Sequence, residues 1–140
     1  HATDISEAAL EVAMGNAGRL GLERVTFHRG SWCEPLTGRF QLMVSNPPYV
    51  AMGDPHLGRG DCRFEPRDAL TPGNDALSAV RTIAGRSRAF LDSRGWLLLE
   101  HGPDQGEEVR AELKRHDFSD VTTLRDLLGH ERVTRGRKPA

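Results

Sequence analysis

Hydrophobic positions along the first part of the chain change from helical spacing to short continuous runs. A helix is predicted behind a plausible N-cap at Ser6 and before a stop at Gly21, from apolar residues at helical spacing: Ala9, Leu10, Ala13 and Met14. Residues 24–30 are short and β-leaning. Residues 39–45 form a nearly continuous apolar run, which is typical of a strand covered on both faces of a parallel sheet.

The second part continues the alternation after a long connection at residues 50–74, which is rich in glycine and proline. A loop of that length is usually functional or disordered. A helix is predicted over residues 75–91, with Gly95 as its stop, and residues 96–102 read as a buried strand. An amphipathic helix should follow, with Val109, Leu113 and Phe118 facing inward. Residues 120–125 and 131–137 are then predicted to be two strands around a turn.

Strands that alternate with helices predict an α/β domain with a single core, a mainly parallel sheet and an antiparallel edge. In open sheets of this kind, ligands bind beyond the carboxyl ends of the strands. Three polar clusters fall at such ends: Asp4, the tetrapeptide Asn-Pro-Pro-Tyr at 46–49, and Glu-His-Gly at 100–102. Their coincidence is more informative than any one of them.

Composition removes several classes of function. Nineteen basic and 20 acidic residues give a net charge of −1, which argues against a nucleic-acid or membrane surface. The basic stretch 132–140 is expected to be a solvated end. Cys33 and Cys62 have no neighbouring ligands at metal spacing and are expected to be reduced thiols, and the scattered histidines predict no metal site.

Several blocks in this order resemble the protein N5-glutamine methyltransferases, and most closely their release-factor branch, the HemK/PrmC family. The blocks are "DIS", "GSW", "NPPY", "RFEPRDAL", "LLLEHG" and "HERVTRGR", and the resemblance covers essentially all 140 residues. The tetrapeptide alone is less specific, because adenine-N6 DNA methyltransferases carry similar motifs.

The resemblance implies a Rossmann-like sheet of an S-adenosylmethionine-dependent methyltransferase, mostly parallel with an antiparallel terminal strand. Residues 1–140 would be part of the catalytic domain, beginning at the end of its second strand. The first strand, its glycine-rich cofactor loop and an N-terminal helical domain would be absent. We therefore expect this chain alone to bind the cofactor weakly or not at all, and to be inactive.

The tetrapeptide suits the chemistry of amide methylation. The lone pair of an amide nitrogen is delocalised, so a site must orient the nitrogen, and two acceptors for its two N–H groups would do so. The side-chain oxygen of Asn46 and the carbonyl of Pro47 are the expected pair, made rigid by the prolines. Tyr49 would form a flat wall. The resemblance adds Pro48, Phe64 and Glu65 as substrate contacts, although Glu65 before Pro66 also reads as a turn.

The methyl donor, S-adenosylmethionine, has its own expected contacts. Asp4 at a strand end could accept hydrogen bonds from both ribose hydroxyls. Trp32 would lie against the adenine, although a single tryptophan is as often a core residue. Ser31 is a further expected cofactor contact, at a position where many members of the family carry Asp. Asn46 is also expected to contact the cofactor. Glu100 has no assigned role.

The expected substrate is the GGQ loop of class I peptide chain release factors. Two alternatives keep the chemistry, with a ribosomal-protein glutamine or a DNA adenine as target, and a third is a non-catalytic fragment or binding module. DNA is disfavoured because phosphate contacts require a basic face. The protein is expected to be a cytoplasmic monomer with no membrane partner.

Overall fold

A computed structural model describes residues 1–58 and 60–140, without the side chains of His56, Asp61 and Cys62. The chain divides into two compact units, His1–Arg39 and Phe40–Ala140. The strands are β1 (Ala2–Asp4), β2 (Phe27–Arg29), β3 (Phe40–Ser45), β4 (Leu91–Glu100), β5 (Ser119–Arg125) and β6 (Glu131–Arg137). The helices are α1 (Glu7–Arg19), α2 (Arg67–Leu70), α3 (Ser78–Ser87) and α4 (Gly106–Arg115), with 3-10 turns at Pro55–Gly58 and Gly60–Phe64.

The first unit pairs β1 with β2 in parallel and connects them through α1. The Ser6 hydroxyl accepts from the N–H of Ala9, which confirms the predicted N-cap. Gly21 ends the helix as predicted: it adopts φ +67°, and the N–H groups of Gly21 and Leu22 donate to Gly18 and Ala17.

The apolar face predicted for α1 is only partly correct. Leu10 and Ala17 are its buried residues, whereas Ala9 and Met14 are exposed. Sequence spacing identified the helix but not which side is covered.

The second unit holds a four-stranded sheet in the order β3-β4-β6-β5. β3 and β4 are parallel, and β6 runs antiparallel to both of its neighbours. The predicted α/β class, with mostly parallel strands and an antiparallel terminal strand, is confirmed. Absence of a first strand stays a prediction.

The core of this unit lies where α3 and α4 pack against the sheet. α3 contacts β4, and α4 contacts β5, β6 and α3. Buried apolar side chains come from α3, β4 and α4, with one more just before β5: Val80, Ile83, Ala84, Leu91, Leu97, Leu99, Val109, Leu113 and Phe118. Each fully buried leucine contributes about 1.5–3 kcal/mol relative to exposure. The inward face predicted for α4 is confirmed, and acidic residues in its first turn and basic ones in its last complement the helix dipole.

Two predictions about the strands are wrong. β3 is not covered on both faces, because Leu42 is 53% and Val44 68% exposed. Gly95 does not stop a helix: α3 ends at Ser87, and Gly95 lies inside β4. A Cβ on Gly95 would lie 3.0 Å from the carbonyl of Asp92 and 3.1 Å from that of Phe40, so glycine is needed for a close approach at an irregularity in the β3–β4 pairing.

Two segments contain more regular secondary structure than a loop or a solvated end would. Residues 50–74 contain the two 3-10 turns and α2. The basic stretch 132–140 is not a solvated end, because most of it belongs to β6, where Thr134 is fully buried. Arg135 and Arg137 stack over Trp96 at 4.9 and 5.5 Å from the ring centroid.

Cys33 is buried, while the side chain of Cys62 lies outside the described residues, so the reduced state of both thiols stays a prediction. In the described part of the chain, no helix has the length and apolar character needed to cross a membrane.

Candidate functional site

The tetrapeptide at 46–49 lies at the carboxyl end of β3. Because β3 and β4 are parallel, with Ser45 opposite Leu99, the segments that follow them meet at one edge of the sheet. This edge is where open α/β sheets bind ligands. Pro47 is fully buried and anchors the segment, whereas Asn46 is exposed.

Tyr49 is held through both its phenol and its backbone. Its hydroxyl donates to a carboxylate oxygen of Glu100 over 3.4 Å, which is long for such a bond. Its carbonyl accepts from the side-chain amide of Gln105 at 3.0 Å, and the same amide accepts from the N–H of Gly102 at 2.9 Å. The tetrapeptide is therefore tied to the Glu-His-Gly segment.

The electrostatic setting keeps Tyr49 protonated. Burial raises the pKa of the phenol above its usual 10.0, and the negative charge of Glu100 raises it further, although Arg132 acts in the opposite direction. At neutral pH Tyr49 can donate a hydrogen bond but cannot serve as a base.

His101, the middle residue of Glu-His-Gly, is fully buried and bonded through both ring nitrogens. Nδ1 lies 2.8 Å from the Gly102 carbonyl, which can only accept, so this nitrogen carries the proton. Nε2 then accepts from the hydroxyl of Thr134 at 2.8 Å. Burial lowers the pKa of His101 below 6.5, in keeping with a neutral ring.

The hydrogen-bond chain continues in one direction beyond Thr134. Since its proton is directed at His101, the Thr134 hydroxyl accepts from that of Thr123 at 2.8 Å, and Thr123 accepts from Arg110 at 2.7 Å. Arg110 also donates to Glu131 at 2.9 Å, and this bond lowers the pKa of Glu131. The chain fixes the end of β4 against β6 and β5, and thereby supports the segment that contacts Tyr49.

Three of the predicted cofactor residues, Asp4, Ser31 and Trp32, belong to the first unit, where the ends of β1 and β2 bring them together, whereas Asn46 belongs to the second. Asp4 ends β1, and its carbonyl accepts from the N–H of Gly30 at 3.0 Å. The hydroxyl of Thr3 donates to the Trp32 carbonyl at 2.9 Å. Ser31 and Trp32 are half-buried, and Trp32 has φ +52°.

Asp4 also has the structural role that its position permits, because one carboxylate oxygen accepts from the N–H of Ser6 at 2.8 Å. A carboxylate offers about four acceptor positions, so this bond leaves capacity for a ligand. Binding by Asp4, Ser31 and Trp32 stays a prediction.

Phe64 and Glu65, expected over the substrate, lie at the end of the second 3-10 turn and just after it. The Phe64 ring is 74% exposed, with Arg63 over it at 4.6 Å, and Glu65 is exposed. Their substrate contacts also stay a prediction.

An open cleft begins three residues after the tetrapeptide. Its volume is about 580 Å³. Val50 and Met52 donate backbone bonds to Leu70 and Gly73, which holds the two sides of the cleft together. Its lining is Met52, Gly53, Asp54, Leu57, Arg67, Asp68, Thr71, Pro72 and Gly73.

Sequence reasoning missed three residues of this site: Gln105, Arg132 and Thr134. Gln105 contacts a residue 56 positions away, and Thr134 one 33 positions away. Their hydrogen bonds depend on how the strands are ordered, which local patterns do not reveal. Proximity of Gln105 to the Glu-His-Gly cluster was the one available signal.

Comparison with solved structures identifies the fold. A ribosomal protein L11 methylase from Lactobacillus delbrueckii subsp. bulgaricus matches 99% of this chain and 56% of its own, with TM-score 0.68 and 15% identity. A methyltransferase from Pyrococcus furiosus matches 99% of this chain and 61% of its own, with TM-score 0.66 and 16% identity. The fold is that of Rossmann-like methyltransferases.

No protein-family model matches the chain. Curated relatives named release factor glutamine methyltransferase do. The relative from Xylella fastidiosa is 52% identical over 99% of this chain and 50% of its own length. The relative from Pseudomonas aeruginosa is 48% identical over 97% of this chain and 50% of its own length. The relative from Neisseria gonorrhoeae is 50% identical over 97% of this chain and 50% of its own length.

The chain spans about half the length of the curated relatives it matches. The matches cover 97–99% of this chain. These 140 residues are therefore similar, over nearly their whole length, to about half the length of proteins named release factor glutamine methyltransferase.

Proposed function

We propose that this chain is the part of a methyltransferase catalytic domain that positions a protein glutamine for methylation of its side-chain amide nitrogen, N5. The methyl donor would be S-adenosylmethionine, and the substrate the GGQ glutamine of class I peptide chain release factors. The observation that carries the proposal is the rigid tetrapeptide, anchored by Pro47 and tied to the end of β4 at the ligand-binding edge of the sheet. The names of the relatives support the choice of substrate.

The residues of the tetrapeptide would act by orientation. The Asn46 side-chain oxygen and the Pro47 carbonyl would each accept one N–H of the amide and hold its nitrogen toward the methyl group. Such positioning can lower a barrier by several kcal/mol, up to roughly 7–11 in ideal cases. No base is needed beforehand, because the nitrogen loses a proton only after gaining the methyl. A neutral Tyr49 beside the amide fits this scheme.

Methyl donation from a sulfonium is the chemistry that S-adenosylmethionine supplies when bound. On this chain, the carboxylate of Asp4 would accept from the ribose hydroxyls, and Ser31 and Trp32 would flank the adenine. The acceptor capacity left on Asp4 and the half-buried Trp32 fit such a ligand.

The cleft after the tetrapeptide would receive the substrate backbone on either side of the glutamine. It is open, and its charged lining residues are of both signs, which suits a polypeptide better than a polyanion. We further propose that the enzyme works as a monomer in the cytoplasm.

A methyl-transfer assay tests the proposal. The full-length gene product is incubated with radiolabelled S-adenosylmethionine and a release factor, a GGQ→GGA variant of that factor, a ribosomal-protein fraction, or DNA. We expect label on the first substrate alone. Labelling that survives loss of the GGQ glutamine would exclude the proposed target, and labelling of DNA would favour the adenine alternative.

Asn46→Ala in the same protein should abolish transfer while largely sparing cofactor binding, because Asp4, Ser31 and Trp32 remain. Because Asn46 is exposed, the unfolding free energy of the variant should differ from that of the wild type by no more than about 0.5 kcal/mol. Full activity of this variant would contradict the orientation scheme.

A further inference from the structure

The side chain of Gln105 bridges two segments of the candidate site. Its Nε2 donates to the Tyr49 carbonyl at 3.0 Å, and its Oε1 accepts from the Gly102 N–H at 2.9 Å. A carbonyl can only accept and an N–H can only donate, so one orientation of the amide satisfies both contacts.

The side chain of Gln105 does not cap the start of its own helix. Gln105 is the N-cap of α4, yet it makes no side-chain capping bond. Its backbone N–H donates to the Gly102 carbonyl at 3.1 Å, so backbone and side chain both face the same turn after β4.

Gly102 provides the room that this arrangement needs. A Cβ there would lie 3.2 Å from Oε1 of Gln105 and 3.7 Å from Cδ2 of Tyr49. The Gly102 carbonyl also accepts from Nδ1 of the buried His101. The turn to which Gln105 attaches Tyr49 is thus itself held by the hydrogen-bond chain that begins at His101.

We propose that Gln105 is a positioning residue for methyl transfer, which places Tyr49 and, through the two prolines, Asn46 and the Pro47 carbonyl. Proline rings fix φ, so a displacement at Tyr49 is passed along the tetrapeptide instead of being absorbed within it. This inference rests on the proposed function, since it assigns Gln105 to the same site.

Two substitutions test the two hydrogen bonds that the side-chain amide of Gln105 makes. Gln105→Glu keeps an acceptor for Gly102 but sets a carboxylate oxygen against the Tyr49 carbonyl. Gln105→Met removes both hydrogen bonds at similar volume. Gln41→Glu and Gln41→Met are matched controls, because Gln41 is the other glutamine of the chain and is exposed on β3.

The first measurement needs no enzymatic activity. Tyr49 is the single tyrosine of the chain, so a carbon-13 label in its ring reports on this site alone. In both Gln105 variants we expect a changed ring signal. In Gln105→Met the phenol pKa should also move closer to 10.0, because the ring becomes better solvated, whereas the added carboxylate of Gln105→Glu would itself raise that pKa. The Gln41 variants should match the wild type. Thermal unfolding of each variant is the control that tests whether it remains folded.

The second measurement is steady-state methyl transfer by the full-length gene product. A displacement of about 1 Å can cost on the order of 100-fold in rate, so kcat should fall by about 10- to 100-fold in the Gln105 variants while the cofactor dissociation constant stays unchanged. A role in folding alone would lower the amount of active enzyme without changing the Tyr49 signal of the folded molecules.

An unchanged Tyr49 signal in both Gln105 variants, or an unchanged kcat, would overturn the inference. If the wild-type protein transfers no methyl to release factor glutamine, the proposed function fails. The Tyr49 signal then still decides whether Gln105 holds the tetrapeptide.

Discussion

Replacing Thr134 with valine tests the buried hydrogen-bond chain at its centre. Thr134 is fully buried in β6, and its hydroxyl lies 2.8 Å from both His101 Nε2 and the Thr123 hydroxyl. Valine has nearly the same shape and suits a strand, so the substitution removes the hydroxyl and little else.

The cost follows from what is left behind. His101 Nε2 would become a buried acceptor without a donor, which costs about 1–3 kcal/mol, and the proton of Thr123 would lose its partner. A loss of about 2 kcal/mol corresponds to a fall in Tm of roughly 4–8 °C for a protein of this size.

Urea unfolding of the 140-residue chain, followed by tryptophan fluorescence, measures the loss. Trp96 pairs with Arg137 of β6, so its emission reports on the affected strands. Thr122→Val is the matched control, since Thr122 is only half-buried on the neighbouring β5, and its unfolding free energy should change by no more than about 0.5 kcal/mol. Equal unfolding midpoints for the two variants would refute the contribution assigned to the chain.

Three further predictions concern pH, the cofactor and the cleft. Burial lowers the pKa of His101 in the folded state, so the unfolded chain binds a proton first as the pH falls through 6.5. The unfolding free energy should then decrease by up to about 1.4 kcal/mol per pH unit until the lowered pKa is reached. Glu131 opposes this shift while Arg132 and Arg110 reinforce it; a flat profile would contradict a neutral His101, and the exposed His130, replaced by glutamine, is the control. Calorimetry should show weak or no binding of S-adenosylmethionine by the 140-residue chain, because its sequence contains no GxGxxG turn; micromolar affinity would contradict that expectation. Thr71→Arg should fill the cleft and raise KM for the release factor in the full-length gene product without changing cofactor affinity; an unchanged KM would exclude the cleft as a substrate site.

Much of the fold could be predicted because local patterns and local structure agree. Ser6 and Gly21 bound α1 as standard capping chemistry requires. The run Leu97–Leu99 and the period of α4 also indicate their elements correctly. Gly95 misled because a glycine needed for close backbone approach within a strand looks the same in sequence as one that ends a helix.

The site was predictable in its motif and unpredictable in its supports. Asn46-Pro47-Pro48-Tyr49 stands out because two prolines after an apolar strand are unusual. Gln105 does not stand out, because its role arises only when β3 pairs with β4. Thr134 does not stand out, because its role arises only when β6 lies next to β4. Exposure is equally non-local: the apolar run of β3 gave no sign that Leu42 and Val44 face solvent.

The strand order has a consequence for synthesis of the protein. β6 lies between β4 and β5, so β5 has no hydrogen-bonded neighbour until residues 131–137 have been made. Translation proceeds from the amino end, at about 5–20 residues per second, and β4 and β5 therefore emerge with open edges that their partner closes last. During that interval the unpaired edges of β4 and β5 can pair with strands of other chains, so completion of β6 protects the protein from aggregation.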